Sequence, residues 1–140
     1  MEGYTAFFST IPVGLKASLE RLHMGLSTHV LDTMHGRPAG GMGVQLFATN
    51  GADSRLLKSF TLNADGRNDG GPLLDNDSLQ VGTYRLVFSV KPYFKALGVA
   101  LPEPSFLDQV TLDFGVADTQ QHYHVPLLVS PWAYSTYRGS

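Results

Sequence analysis

At 140 residues, 43% hydrophobic and 16% charged, the chain is sized for one compact domain with a sizeable core. A net charge of −2 and a pI near 6.2 argue against nucleic acid as the main partner, because phosphate binding needs a concentrated basic face. No run of about 18 apolar residues is present to span a membrane, and zero cysteines remove disulfides, thiolate nucleophiles and sulfur-ligated metals, which fits a reducing, cytoplasmic setting.

Residues 1–25 differ in kind from the rest. Leu15, Leu19 and Leu22 recur at i, i+4 and i+7 among Lys16, Glu20 and Arg21, which predicts a short amphipathic helix. Packing arm, targeting segment, or sequence upstream of a start at Met24 are all open roles for this extension. Glu2 and the lack of a basic residue in the first ten oppose a secretory signal. A peroxisomal address, relevant if the source is eukaryotic, needs its second pair five residues after Arg21-Leu22. His29-Val30 follows after six.

From residue 26 the signals are those of short strands. They are predicted over Leu26–Asp32, Gly43–Thr49, Leu56–Asn63, Gly82–Val90, Asp108–Phe114, Gln120–Val129 and Trp132–Tyr137. Turn chemistry separates them at Gly36-Arg37-Pro38, Gly40-Gly41, Asn50-Gly51, Ala64-Asp65-Gly66 and Ser130-Pro131. One helix is predicted over Pro92–Leu97, with proline at its first position and Gly98 closing it. Such a series predicts an all-β, antiparallel sandwich with one short helix, residues 26–140 forming a single domain.

Strand parity places the polar residues. His122, His124, Pro126 and Leu128 share one face of their strand, and Ser27, His29 and Leu31 share one face of theirs. A tight turn at Ser130-Pro131 would pair the last two strands and bring Tyr137 toward the His122/His124 end. The chain finishes on Tyr137-Arg138-Gly139-Ser140, an aromatic ring, a guanidinium and a hydroxyl where termini usually fray.

These segments together resemble the transthyretin-like 5-hydroxyisourate hydrolases. The resemblance runs through Leu26–Asp32, Gly36-Arg37-Pro38-Ala39, Asn63-Ala64-Asp65-Gly66-Arg67, Pro92-Tyr93-Phe94, His122–Pro131 and the final Tyr-Arg-Gly-Ser, and so covers residues 26–140. It implies a transthyretin-like (prealbumin-like) sandwich assembled as a homotetramer, a dimer of dimers with active sites at the dimer–dimer interface. It also implies 5-hydroxyisourate, a small molecule of urate catabolism, as substrate, with no cofactor and no metal. Carried over position by position, the catalytic residues fall on His29, Arg67, His124 and Ser140. Substrate contacts fall on His29, Arg67, Tyr137 and Arg138.

The residue types suit that reaction, hydrolysis of a ring amide. Attack by water needs a base and a cationic donor for the developing oxyanion. Imidazole accepts a proton near neutral pH, a neighbouring guanidinium lowers its pKa further, and arginine offers planar donors to a cyclic urea. The expectation is that His29, assisted by His124, holds and deprotonates water, while Arg67 orients the substrate and Tyr137 and Ser140 complete the pocket.

Plainer readings attach to the same residues. His122-x-His124 puts two imidazoles on one strand face, as in a zinc site, but catalytic zinc usually takes three protein ligands and no third is adjacent. His122 reads as a structural or orienting group, and His23 and His35 as solvent-exposed. Arg67 after Asp65-Gly66 could be an ordinary turn residue. The rival function is a non-catalytic small-ligand carrier on the same fold, like the hormone carrier transthyretin. That carrier has Lys, Glu and Thr where this chain has His29, Arg67 and His124, and it lacks the final tetrapeptide.

Overall fold

The computed structural model describes residues 25–139. The expected N-terminal helix, His23, Met24 and Ser140 lie outside the described residues. Two four-stranded sheets pack face to face. The first is built from β1 (Leu26–Asp32), β2 (Arg37–Pro38), β7 (Tyr123–Val129) and β8 (Tyr134–Thr136), in the order β2-β1-β7-β8. The second contains β3 (Gly43–Asn50), β4 (Asp53–Thr61), β5 (Gly82–Ser89) and β6 (Gln109–Val116), in the order β4-β3-β5-β6. A single helix, α1 (Val90–Ala96), follows β5 directly.

Alternation builds the core. Leu26, Val30, Leu127 and Val129 point inward from the first sheet to meet Val44, Leu46, Leu86, Phe88 and Val110 from the second, all 0–2% exposed. Phe94 of α1 is also fully buried. The aromatic pair Phe106 and Trp132 stacks at 6.2 Å on the surface instead, 70% and 57% exposed.

Most pairings are antiparallel, as predicted, but β1 and β7 run parallel, with His29 beside Pro126 and Ser27 beside His124. Residues Arg37–Pro38, expected as pure turn, add a two-residue strand to the free edge of β1. Helix α1 begins two residues earlier than predicted. Pro92 then stands at its third position, still among the first-turn residues whose N–H groups have no partner inside the helix. Strand β7 starts at Tyr123 rather than Gln120, because Gln120 and Gln121 are held in a turn by Asp118.

Two polar groups break the inward apolar pattern, Thr28, whose hydroxyl donates to Val125 O at 2.7 Å, and Asp32. Asp32, fully buried at the end of β1, accepts from the His35 backbone N–H (3.0 Å), His35 Nδ1 (2.6 Å) and the Tyr93 hydroxyl (2.8 Å). Burial alone would push its carboxyl up, yet those donors together hold it below the usual carboxylate value. Burial and the adjacent carboxylate push Tyr93 up to about 12. His35, exposed as expected, therefore also ties the loop after β1 to α1.

Candidate active site

The outward face of the first sheet carries the candidate chemistry. His29 projects from the middle of β1, and His124 from β7 two register pairs away on the same face. Arg67 comes from the loop after β4, and a dense set of bonds holds that loop on β1. Asn63 Oδ1 accepts from the N–H groups of Asp65 (2.9 Å) and Arg67 (3.1 Å). The Asn63 N–H donates to Arg67 O, the Gly66 N–H donates to Asn63 O, and the Val30 N–H donates to Gly66 O at 3.0 Å. Gly66 has φ +73, and a Cβ there would lie 2.5 Å from the Val30 carbonyl oxygen, so only glycine lets the turn seat.

Seated this way, the Arg67 guanidinium donates from Nη2 to His29 Nδ1 at 3.3 Å. Burial, then the Arg67 charge, lowers the His29 pKa, with the backbone and carboxylate of Asp65 acting in the opposite direction. His124 is pushed down to about 4, first by burial and then by Arg67, His122 and His29. Its Nδ1 lies 2.7 Å from Ser27 Oγ, and the same hydroxyl lies 3.1 Å from His122 Nε2. Both imidazoles of the site are thus neutral at pH 7 beside a permanent cation. That combination supplies a lone pair for a proton and a guanidinium for a developing oxyanion.

The structure brings three of the predicted residues together, His29, Arg67 and His124. The final segment reaches them through Gly139, whose N–H donates to His124 O at 2.7 Å. A Cβ on Gly139 would lie 2.8 Å from His124 Cδ2, so the tail backbone lies flat against that ring. Arg138 is not brought to the imidazoles. Its guanidinium stacks 4.2 Å over the Tyr123 ring and donates to Gln121 Oε1 (2.8 Å) and His122 O (3.2 Å), fastening the tail to β7. Tyr137 is 60% exposed and, with Tyr134, Thr136 and Arg138, lines a groove of about 450 Å³ between β8 and β6. Ser140 lies outside the described residues. Among those described, no three His, Cys, Asp or Glu side chains are placed to hold a metal ion, and no helix is long and apolar enough to cross a membrane.

Ser27, Asn63 and Gly139 were missed by residue-type reasoning. For Ser27 a signal existed, since it shares the parity of His29 on β1. Asn63 acts through an Oδ1 that accepts from its own turn and Gly139 through its backbone N–H, contacts that parity does not reveal.

A small two-sheet sandwich with imidazole and guanidinium on an open sheet face defines a class, the transthyretin-like fold bearing a polar site. The chain belongs to the HIUase/Transthyretin family, whose model matches residues 26–139. A 5-hydroxyisourate hydrolase of Ralstonia nicotianae is 54% identical over 115 residues, 82% of this chain and 97% of that protein. The solved 5-hydroxyisourate hydrolase of Klebsiella pneumoniae superposes with a TM-score of 0.63 at 32% identity, covering 84% of this chain and 94% of its own. Sea bream transthyretin, solved with thyroxine, shares the fold at a TM-score of 0.72 and 24% identity, covering 82% and 94%.

Proposed function

We propose that this chain is a 5-hydroxyisourate hydrolase, opening the six-membered ring at the N1–C6 amide to give 2-oxo-4-hydroxy-4-carboxy-5-ureidoimidazoline. The observation that carries the reading is the convergence of Arg67, His29 and His124 on one outward face, with the guanidinium 3.3 Å from an imidazole nitrogen. Relatives of more than half identity that carry this name support the substrate.

The hydrogen bonds divide the labour between the histidines. Arg67 occupies the Nδ1 lone pair of His29, so the neutral His29 ring carries its proton on Nε2 and is a donor. His124 has Nδ1 committed to Ser27, leaving Nε2 for the reaction. We therefore assign the base to His124 and an orienting role to His29, the reverse of the emphasis drawn from sequence. His124 Nε2 takes a proton from water as the oxygen adds to C6. The oxyanion forms against Arg67, and on its collapse the C6–N1 bond breaks and the proton passes to N1. Gly139 lays the tail against the His124 ring, and Arg138 keeps the tail in place. The site is open on a sheet face, which suits the expected homotetramer, with a second dimer closing it in the cytoplasm.

The test is decay of 5-hydroxyisourate generated in situ by urate oxidase. The wild type accelerates the decay, while His124→Asn and His29→Asn each lower kcat by about 100-fold or more. Saturable binding of the heterocycle without turnover would instead identify a carrier.

A further inference from the structure

Ser27 is 6% exposed, yet it presents a hydroxyl between two imidazoles of the site face. Its Oγ lies 2.7 Å from His124 Nδ1 and 3.1 Å from His122 Nε2. A serine hydroxyl has one proton to give and lone pairs to accept. Placed between two ring nitrogens, it donates to one and accepts from the other, so the three groups form one directed line. The parallel register creates this arrangement. Ser27 pairs with His124, and His122 stands two residues earlier, just before β7, its ring centroid 6.2 Å from that of His124. His29 and Arg67 lie on the other side, toward Pro126. The line therefore leads away from the guanidinium.

We propose that Ser27 is a positioning residue that keeps the His124 proton on Nδ1 and relays it to His122 when Nε2 is loaded. The proposal rests on the reading of His124 as base. The protons balance in a single shift. Water gives a proton to His124 Nε2, the Nδ1 proton moves to Ser27 Oγ, and the serine's own proton moves to His122 Nε2. The positive charge then rests on His122, its ring centroid 6.2 Å from that of His124, rather than on His124 itself. Repulsion between the two cations falls with that distance. When the tetrahedral adduct collapses, the line runs backward and His124 Nε2 delivers the proton to the departing nitrogen.

The experiment uses the full chain in the coupled urate oxidase assay, with Ser27→Ala, Ser27→Thr, His122→Phe and the Ser27→Ala/His122→Phe pair. Ser27→Ala and His122→Phe should each lower kcat about 10- to 100-fold with KM little changed. The pair should lose no more than the worse single variant, because both cut one line. Ser27→Thr, which restores a hydroxyl on the same carbon, should recover most of kcat. A proton inventory in mixed H₂O and D₂O should curve for the wild type and become linear for Ser27→Ala. Wild-type kcat in Ser27→Ala, or fully additive losses in the pair, overturns the relay. If Ser27→Ala fails to fold, His122→Phe and the wild-type inventory decide alone. Nitrogen-15 spectra of the rings need no turnover: His124 Nδ1 should be protonated in the wild type, and an unprotonated Nδ1 overturns the proposal. The two readings fail differently. A wild type without turnover, or a fully active His124→Asn, defeats the assigned chemistry, whereas an active wild type with dead His124→Asn and normal Ser27→Ala defeats only the relay.

Discussion

Burial first, and then the permanent charge of Arg67, hold His29 and His124 below the usual imidazole range, which has consequences for both rate and stability. Burial is the larger cause for His124 and Arg67 the second. Replacing Arg67 with Gln should therefore raise the His124 pKa part of the way from about 4 toward 6.5. The acid limb of the kcat profile should move up with it, and kcat should fall by about 10²- to 10³-fold as the oxyanion loses its donor. Unchanged acid limbs in the pH–rate profile would count against the assignment of His124 as base. The same depression acts on folding. The unfolded chain takes up a proton near pH 6.5 and the folded site resists until about 4, so His124 contributes stability above pH 6.5 that is lost as pH falls toward 4. Solvent screening of a half-buried imidazole keeps the loss to about 1–2 kcal/mol per protomer. Urea denaturation at pH 7 and pH 4.5 should show it, and His124→Asn should flatten the difference. At this scale the sequence was informative about identity, since parity and motif picked out His29, Arg67 and His124. Tautomer and role were not legible, because they depend on which nitrogen meets Arg67 or Ser27.

Strand propensity and the turn residues between the runs located most elements, and β1, bounded by Gly25 and the turn after Asp32, was placed to the residue. Direction of pairing was another matter. Nothing local distinguishes a parallel β1–β7 pair from an antiparallel one, and that pairing decides that Ser27 rather than His29 stands beside His124. The Asn63–Arg67 turn was legible as a turn through Asp65-Gly66, but its seat on Val30 was not. A methyl group at Gly66 meets the Val30 carbonyl oxygen at 2.5 Å and must also hold φ +73. Left-handed backbone costs an L-residue about 1–2 kcal/mol, and displacing the turn adds to that. Gly66→Ala should destabilise the protein by about 2–4 kcal/mol. Where it still folds, it should lower turnover by about tenfold or more as Arg67 leaves His29. Thermal melts and the coupled assay check the two effects separately. Gly139→Ala tests the other end of the site. A Cβ 2.8 Å from His124 Cδ2 should lift the tail and cut kcat by roughly tenfold. The melting temperature should hardly move, since residues 132–138 are already exposed.

The distribution of exposed surface bears on assembly. Among the described residues, β6 and β8 end their sheets with unpaired edges, and a groove lined by Tyr134, Tyr137 and Phe114 opens between them. Edges of this kind are usually covered in a stable protein. The face proposed for catalysis is shallow, with Leu31 and Leu128 only partly buried beside the histidines. A small heterocycle bound there needs a second wall to exclude water and strengthen the pull of Arg67. The wall proposed is the same face of a second dimer, which makes the activity depend on assembly. Leu128→Glu places a carboxylate on that face, outside the protomer core, where it should repel its symmetry mates. The variant should keep its β-sheet circular dichroism, run in light scattering as a species smaller than a tetramer, and lose turnover. Wild-type specific activity should likewise fall on dilution through the dissociation range. A fully active Leu128→Glu monomer would place the whole site within one chain and remove the reason for the assembly.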